Sequence, residues 1–255
     1  MTNLRVPHAL AVAECHVWLA RSSDAGNGLA GTLFSHDERA RLGVLRRQSD
    51  RARVTVGYAL TRLALAAYLG RPPGAVPISR ACATCRSPHG KPRLAPASPD
   101  GIEFSVAHSG DRVAVAVTRA GPVGVDVELR SPRVSAADRD LVLGAGEAAT
   151  LDRFAGDERD RAFLVYWTRK EAILKAAGIG LAVSPADVVV TAPDDPPRLV
   201  SWPRAGFPAG SLSLHDLAVG AGYVASLAVI GDCRRVILLD GSALVAHWRR
   251  VPIQP

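Results

Sequence analysis

Apolar residues change their spacing several times along this chain, and each change marks an element. From Cys15 to Leu19 they alternate around Trp18 as in a short strand. From Ser35 to Leu69 the spacing is helical, with Ser35 as N-cap, Asp37 and Glu38 in the first turn, and Gly70-Arg71-Pro72-Pro73 as the stop. From Ile102 to Thr118 the period falls to two. Phe104, Val106 and His108 share one face, Ser109-Gly110-Asp111-Arg112 makes a turn, and Val113, Val115 and Val117 follow, which predicts a β-hairpin.

The same order then recurs. A Gly121-Pro122 break precedes a strand from Val123 to Leu129, and Ala145 to Ala177 contains a second helical region that stops at Gly178. β-type segments return at Val188–Val190 and Val224–Ile230. Weak similarity between Phe104–Arg119 and Leu214–Gly231 supports two related α+β halves, residues 1–120 and 121–255, joined near residues 119–123. The fold class expected is α+β.

Composition narrows the setting. With 255 residues, 48% hydrophobic and 22% charged, the chain has enough apolar material for a real core and no low-complexity tract. No run approaches the roughly 18 apolar residues of a membrane span, and the first residues lack a basic, then apolar, leader pattern. Four sparse cysteines fit a reducing compartment, so a cytoplasmic protein without a membrane partner is expected. The net charge of +7 favours an anionic partner without choosing among nucleic acid, a phosphorylated small molecule and an acidic protein. Only three of the 31 basic residues are lysines: Lys91, Lys170 and Lys175. A position that keeps lysine against such a bias is a candidate for needing a compact ammonium instead of a planar fork.

Two segments carry candidate chemistry. In Val123-Gly124-Val125-Asp126-Val127-Glu128 the acids are two apart, so a strand points both to one face and the valines to the other. On spacing alone, a solvated strand edge is the plainer reading. In Trp167-Thr168-Arg169-Lys170-Glu171-Ala172-Ile173-Leu174-Lys175, helical spacing lines up Trp167, Glu171 and Lys175. Alone, that is an exposed Glu–Lys pair stabilising a helix by about 0.3–0.5 kcal/mol. Together, three carboxylates and the lysines suit Mg²⁺ holding a pyrophosphate, because Mg²⁺ takes oxygen ligands and shares them with substrate phosphates. Such an arrangement points to phosphoryl-type transfer.

These two segments resemble the paired signature of the 4′-phosphopantetheinyl transferase superfamily. Upstream, His89-Gly90-Lys91-Pro92-Arg93-Leu94 and Phe104-Ser105-Val106-Ala107-His108-Ser109-Gly110 are similar to the family's G-K-P and S-H-S-G elements, and all four occur in family order. The motifs cover roughly residues 35–180. The whole length is similar to the longer, monomeric, surfactin-synthetase-activating type, a pseudodimer of two α+β halves with the active site at their interface.

The resemblance implies an enzyme that moves the 4′-phosphopantetheine arm of coenzyme A onto a serine of an apo acyl or peptidyl carrier protein, releasing 3′,5′-ADP. It implies Asp126, Glu128 and Glu171 as ligands of Mg²⁺, with Mn²⁺ as an alternative. It also implies Glu171 as general base, Lys175 as stabiliser of developing charge and Lys170 as a phosphate contact. Lys91 and His108 match positions that contact the nucleotide's phosphates, and Arg53 matches a basic residue at the 3′-phosphate. The carrier would serve fatty-acid, polyketide or peptide synthesis, and a duplicated chain is expected to act as a monomer.

Departures accompany the match. Ala107 replaces the serine that usually precedes this histidine, and Arg39 and Arg41 stand where lysines are common. Cys82-Ala83-Thr84-Cys85 is half of a zinc ligand set, with Cys15, His89 and Cys233 as possible further ligands that spacing does not support; the resemblance implies a tight turn with free thiols, because similar cysteine pairs occur at this place in bacterial relatives. Two other readings compete. A non-catalytic relative that binds coenzyme A or a carrier is opposed by the intact Asp126, Glu128, Glu171 and Lys175. A basic nucleic-acid-binding module rests only on the charge and the arginines of residues 39–53, with few aromatics for base stacking.

Overall fold

The computed structural model describes residues 9–26, 29, 33–82, 87, 90–130, 135–180, 183–203 and 211–250. The chain forms two compact units, residues 1–119 with 235–255, and residues 120–234. Among the described residues no helix is long and apolar enough to cross a membrane.

In the first unit, β1 (Glu14–Arg21) leads to α1 (His36–Val44) and α2 (Gln48–Leu69), then to a 3₁₀ turn at Pro73–Ala75. A small ladder of β2 (Ile78–Ser79) with β3 (Arg93–Leu94) precedes the hairpin of β4 (Glu103–Ser109) and β5 (Arg112–Thr118). β5 pairs antiparallel with both β4 and β1. The buried side chains of Val113, Val115 and Val117 meet Val56, Leu60 and Leu63 of α2 in one core. His108 shares parity with Phe104 and Val106, yet burial decreases along β4 from Phe104 through half-buried Val106 to exposed His108, because the strand runs out toward its turn.

The helical stretch expected from Ser35 to Leu69 is two helices. Leu45 adopts an extended ψ of 118°, and the Arg51 guanidinium donates to the freed Leu45 carbonyl at 3.0 Å. The break has a tertiary cause. In one continuous helix Glu38 and Arg62 would stand about 36 Å apart, whereas the Arg62 Nε donates to Glu38 Oε2 at 2.8 Å.

The second unit repeats the order. β6 (Val123–Leu129) is followed by α3 (Ala136–Val142), α4 (Ala145–Leu151) and α5 (Gly156–Ala177), then by a 3₁₀ turn at Pro185–Asp187. The ladder of β7 (Val189–Val190) with β8 (Leu199–Ser201) precedes β9 (Leu212–Asp216) and β10 (Tyr223–Ile230). β10 pairs antiparallel with both β9 and β6, the arrangement that β5, β4 and β1 make in the first unit. Both long helices have 22 residues and end on a left-handed glycine, Gly70 at φ 61° and Gly178 at φ 69°. The similarity noted between Phe104–Arg119 and Leu214–Gly231 falls on these equivalent strand pairs.

The chain then returns to the first unit through β11 (Arg235–Asp240) and α6 (Gly241–Arg250). The sequence reading assigned all of 121–255 to the second half. The structure differs because β11 pairs parallel with β1, from Glu14↔Arg235 to Leu19↔Asp240, and Val245 of α6 is buried in the first core. β11 reads as an ordinary apolar alternation, and only its pairing partner says which unit it completes.

Candidate active site

α5 lies across β6 and β10, and Gly124 allows the close approach. A Cβ at Gly124 would overlap the Ala172 carbonyl oxygen and come within 2.8 Å of the Lys175 Cβ. The face of β6 that carries Gly124, Asp126 and Glu128 is therefore the face α5 covers. This corrects the solvated-edge reading of the acids: Asp126 is only 4% exposed and Glu128 is half-buried.

The stripe on α5 meets this face. Lys175 Nζ donates to Asp126 Oδ1 at 2.6 Å and to the Val125 carbonyl at 3.2 Å. Two turns earlier, the Trp167 indole donates to Glu128 Oε1 at 3.3 Å. Glu171 stands between them on the helix, half-buried. Burial pushes the Asp126 carboxyl up to about 7; Lys175 opposes the rise, while Glu128 and Glu171 add to it by repulsion. Burial likewise raises Glu171, opposed by Lys175 and reinforced by Glu128. The structure thus brings Asp126, Glu128, Glu171 and Lys175 into one electrostatically coupled group.

The donor chemistry of this group fits a hard divalent cation. Asp126 Oδ2 is buried without a hydrogen-bond partner among the described residues, and Lys175 acts on both Asp126 and Glu171. Among the described residues, no three acidic, histidine or cysteine side chains stand together so as to hold a metal ion by themselves. Carboxylate oxygens are the donor type that Mg²⁺ takes, beside waters and substrate phosphates.

Lys170 is not part of this group. It lies on another side of α5, fully buried, where its ammonium donates to Glu147 Oε2 at 2.5 Å and to the carbonyls of Val142 at 2.6 Å and Pro185 at 3.0 Å. An ammonium has three protons, and these three acceptors use them all. The sequence pattern ranks Lys170 with Lys175 because both lie in one motif; a separation of five residues puts them on different faces.

Two neighbours missed by the sequence reading hold α5 in place. Arg169, fully buried, makes a two-pronged contact with Asp216 of β9, Nε to Oδ1 at 3.0 Å and Nη2 to Oδ2 at 2.6 Å, and donates to the Thr191, Ala192 and Asp195 carbonyls. The Thr168 and Ser226 hydroxyls meet at 3.0 Å, and Ser226 donates to Asp216 at 3.2 Å. No local signal distinguishes Arg169 from the many surface arginines of this chain.

In the first unit, Arg53 donates to the Gly110 carbonyl at 3.3 Å and to Asp50 at 2.5 Å, which places it beside the turn that follows His108. Lys91 has Arg93 and Glu103 among its charged neighbours, the latter at the opposite end of β4 from His108. Burial, helped by Arg93 and opposed by Glu103, lowers the Lys91 ammonium to about 8. Cys15 and Cys233 are buried and Cys82 is half-exposed, whereas Cys85 and His89 lie outside the described residues.

Residues 122–228, which span β6 through most of β10, match ACPS, the 4′-phosphopantetheinyl transferase superfamily. The 4′-phosphopantetheinyl transferase HetI of Nostoc sp. is 31% identical over 225 residues, covering 86% of this chain and 88% of the relative. The 4′-phosphopantetheinyl transferase AcpT of Escherichia coli O157:H7 is 39% identical over 90 residues, 35% of this chain and 45% of that protein. A crystal structure of Thermotoga maritima holo-[acyl-carrier-protein] synthase covers 43% of this chain and 62% of its own at 22% identity and a TM-score of 0.36, a likeness too slight to carry an argument. The chain belongs to the 4′-phosphopantetheinyl transferase superfamily.

Proposed function

We propose that this chain transfers 4′-phosphopantetheine from coenzyme A to a serine of an apo acyl or peptidyl carrier protein. The observation that carries the reading is the coupled group of Asp126, Glu128, Glu171 and Lys175 where α5 crosses β6. Asp126, Glu128 and Glu171 would hold Mg²⁺, which when bound neutralises the coenzyme A pyrophosphate. Glu171, with its proton affinity raised by burial, is suited to take the serine hydroxyl proton near neutral pH. The serine oxygen then bonds to the phosphorus that bears the pantetheine arm. The bond from that phosphorus to the bridging oxygen breaks, and 3′,5′-ADP leaves with the electron pair. Lys175, one turn beyond Glu171, offers its ammonium to the charge that builds on the leaving phosphate. No covalent enzyme intermediate is needed.

Arg53, Lys91 and His108 are assigned in this reading to the nucleotide phosphates of coenzyme A. Arg53 beside the turn after His108 supports a shared role for those two.

The test is the intact mass of an apo carrier protein incubated with coenzyme A, Mg²⁺ and this protein, beside Glu171→Gln. Gain of one phosphopantetheine, lost with chelator and strongly reduced in the variant, is the expected result. Absence of coenzyme A binding by the folded protein would sink the reading.

A further inference from the structure

Lys170 and Arg62 occupy the same place in the two units. Each is the fifteenth residue of a 22-residue helix, α5 and α2 respectively. Each meets a buried glutamate at the third position of the preceding short helix, Glu147 of α4 and Glu38 of α1. Both glutamates also accept the backbone N–H three residues before them, Gly144 at 2.9 Å and Ser35 at 2.8 Å. Both cations donate onward to carbonyls at the 3₁₀ turn that follows their helix. Arg62 reaches Pro73 and Val76 at 3.2 and 3.1 Å, and Lys170 reaches Pro185 at 3.0 Å.

From this repeated arrangement we infer that the Lys170–Glu147 pair is a positioning clamp: it fixes the rotation of α5 so that Glu171 and Lys175 face β6, and Lys170 touches no substrate. The inference deepens the proposed function and rests on it for the role of Glu171.

Three observations carry it. The Lys170 ammonium has all three protons engaged inside the protein, so a phosphate contact would require breaking the clamp. Glu147 extends the hub, since its second oxygen accepts the Val190 N–H at 3.0 Å, so one buried pair ties α3, α4, α5, the 3₁₀ turn and β7 together. The first unit keeps the same pair although the residue after Arg62 is Leu63, a core side chain with no chemistry to perform. The cation at this position therefore does its work without a carboxylate beside it. In the second unit, rotation matters more. Successive residues of a helix differ by about 100° in direction, so an anchor adjacent to Glu171 sets where that carboxylate points.

The clamp also gives a reason for lysine in an arginine-biased chain. The acceptors of Lys170 converge on one nitrogen, whereas Arg62 spreads its contacts over Nε and Nη1 of a planar fork.

The experiment compares the parent protein with Lys170→Met and with Lys170→Met/Glu147→Leu, which replaces the pair by apolar groups of similar size. Steady-state transfer, coenzyme A affinity by calorimetry and thermal melting are read for each. The clamp predicts that Lys170→Met loses kcat by about 100-fold with coenzyme A affinity unchanged within about threefold. The double variant should regain melting temperature and at least about tenfold in kcat. A double variant that folds but binds coenzyme A more than about tenfold weaker would overturn the inference in favour of a phosphate contact. Glu147→Gln, which keeps the shape but turns one acceptor oxygen into a donor amide, carries the same comparison if either methionine variant fails to fold. If the parent transfers nothing, the proposed function fails separately. Amide exchange then decides the clamp: faster exchange in residues 166–176 and 185–190 of the variant supports it, and unchanged exchange overturns it.

Discussion

The Lys175 ammonium sits 2.6 Å from Asp126 Oδ1, so the most buried carboxylate of the site has a movable cation as its partner and not a fixed arginine fork. A lysine that leaves about a third of its side chain in solvent, at 31% exposure, can neutralise the carboxylates and still turn toward a phosphate.

Lys175→Gln should lower the rate of carrier modification by about 100- to 1000-fold, the range seen when one charge-stabilising donor is removed. Coenzyme A affinity should change much less. A time course of intact carrier mass, set beside calorimetric binding, checks both; equal losses in rate and affinity would instead make Lys175 a simple binding residue.

Asp126→Asn should stabilise the protein without metal while abolishing transfer. Burial and repulsion from Glu128 and Glu171 disfavour the Asp126 charge, and an amide of the same shape escapes both. A gain of 1 kcal/mol would appear as a rise in melting temperature of about 3 °C for a chain of this size. Added Mg²⁺ should shift melting of the parent but not of this variant. A lower melting temperature for Asp126→Asn would show that its pair with Lys175 outweighs the repulsion.

Gly124→Ala should be far more damaging than its single methyl suggests. The new Cβ would overlap the Ala172 carbonyl, part of the backbone of α5, which cannot swing aside as a side chain can. A loss of about 3 kcal/mol or more is expected, read as a fall in the denaturant midpoint. A near-normal midpoint would mean that α5 slides on β6 with little cost.

Binding of coenzyme A should take up a fraction of a proton near pH 8, and Lys91→Met should remove that uptake. Burial first, then Arg93, lowers the Lys91 ammonium to about 8. A phosphate beside it would raise that value, so the group gains a proton on binding. Calorimetry in buffers of different ionisation enthalpy measures the uptake; none in the parent would remove Lys91 from the phosphate contacts. Without ligand the sign is also fixed. Between about 8 and 10.5 the unfolded chain holds the proton that the folded chain has lost, so the Lys91 contribution to stability rises with pH through that window.

Much of this protein is written locally. The Ser35 cap, the glycines that stop α2 and α5, the 104–118 hairpin and the alternation of 123–129 depend on neighbours a few residues away, which is the range of backbone sterics, capping and pleat. The stripe Trp167–Glu171–Lys175 is likewise a consequence of helical period, and its partners on β6 follow once the two segments are paired.

Burial and partnership were decided at longer range. Spacing points Asp126 and Glu128 to one side but does not say that α5 covers it, and motif membership does not separate Lys175, which faces the acids, from Lys170, which is sealed against Glu147. The break between α1 and α2, the placement of β11 beside β1 and the anchoring of Arg169 on Asp216 all depend on groups 24 to 221 residues apart. A one-dimensional pattern reports which way a side chain points from its own backbone; what it meets there is set by how the elements pack, because burial and charge pairing are properties of the assembled neighbourhood.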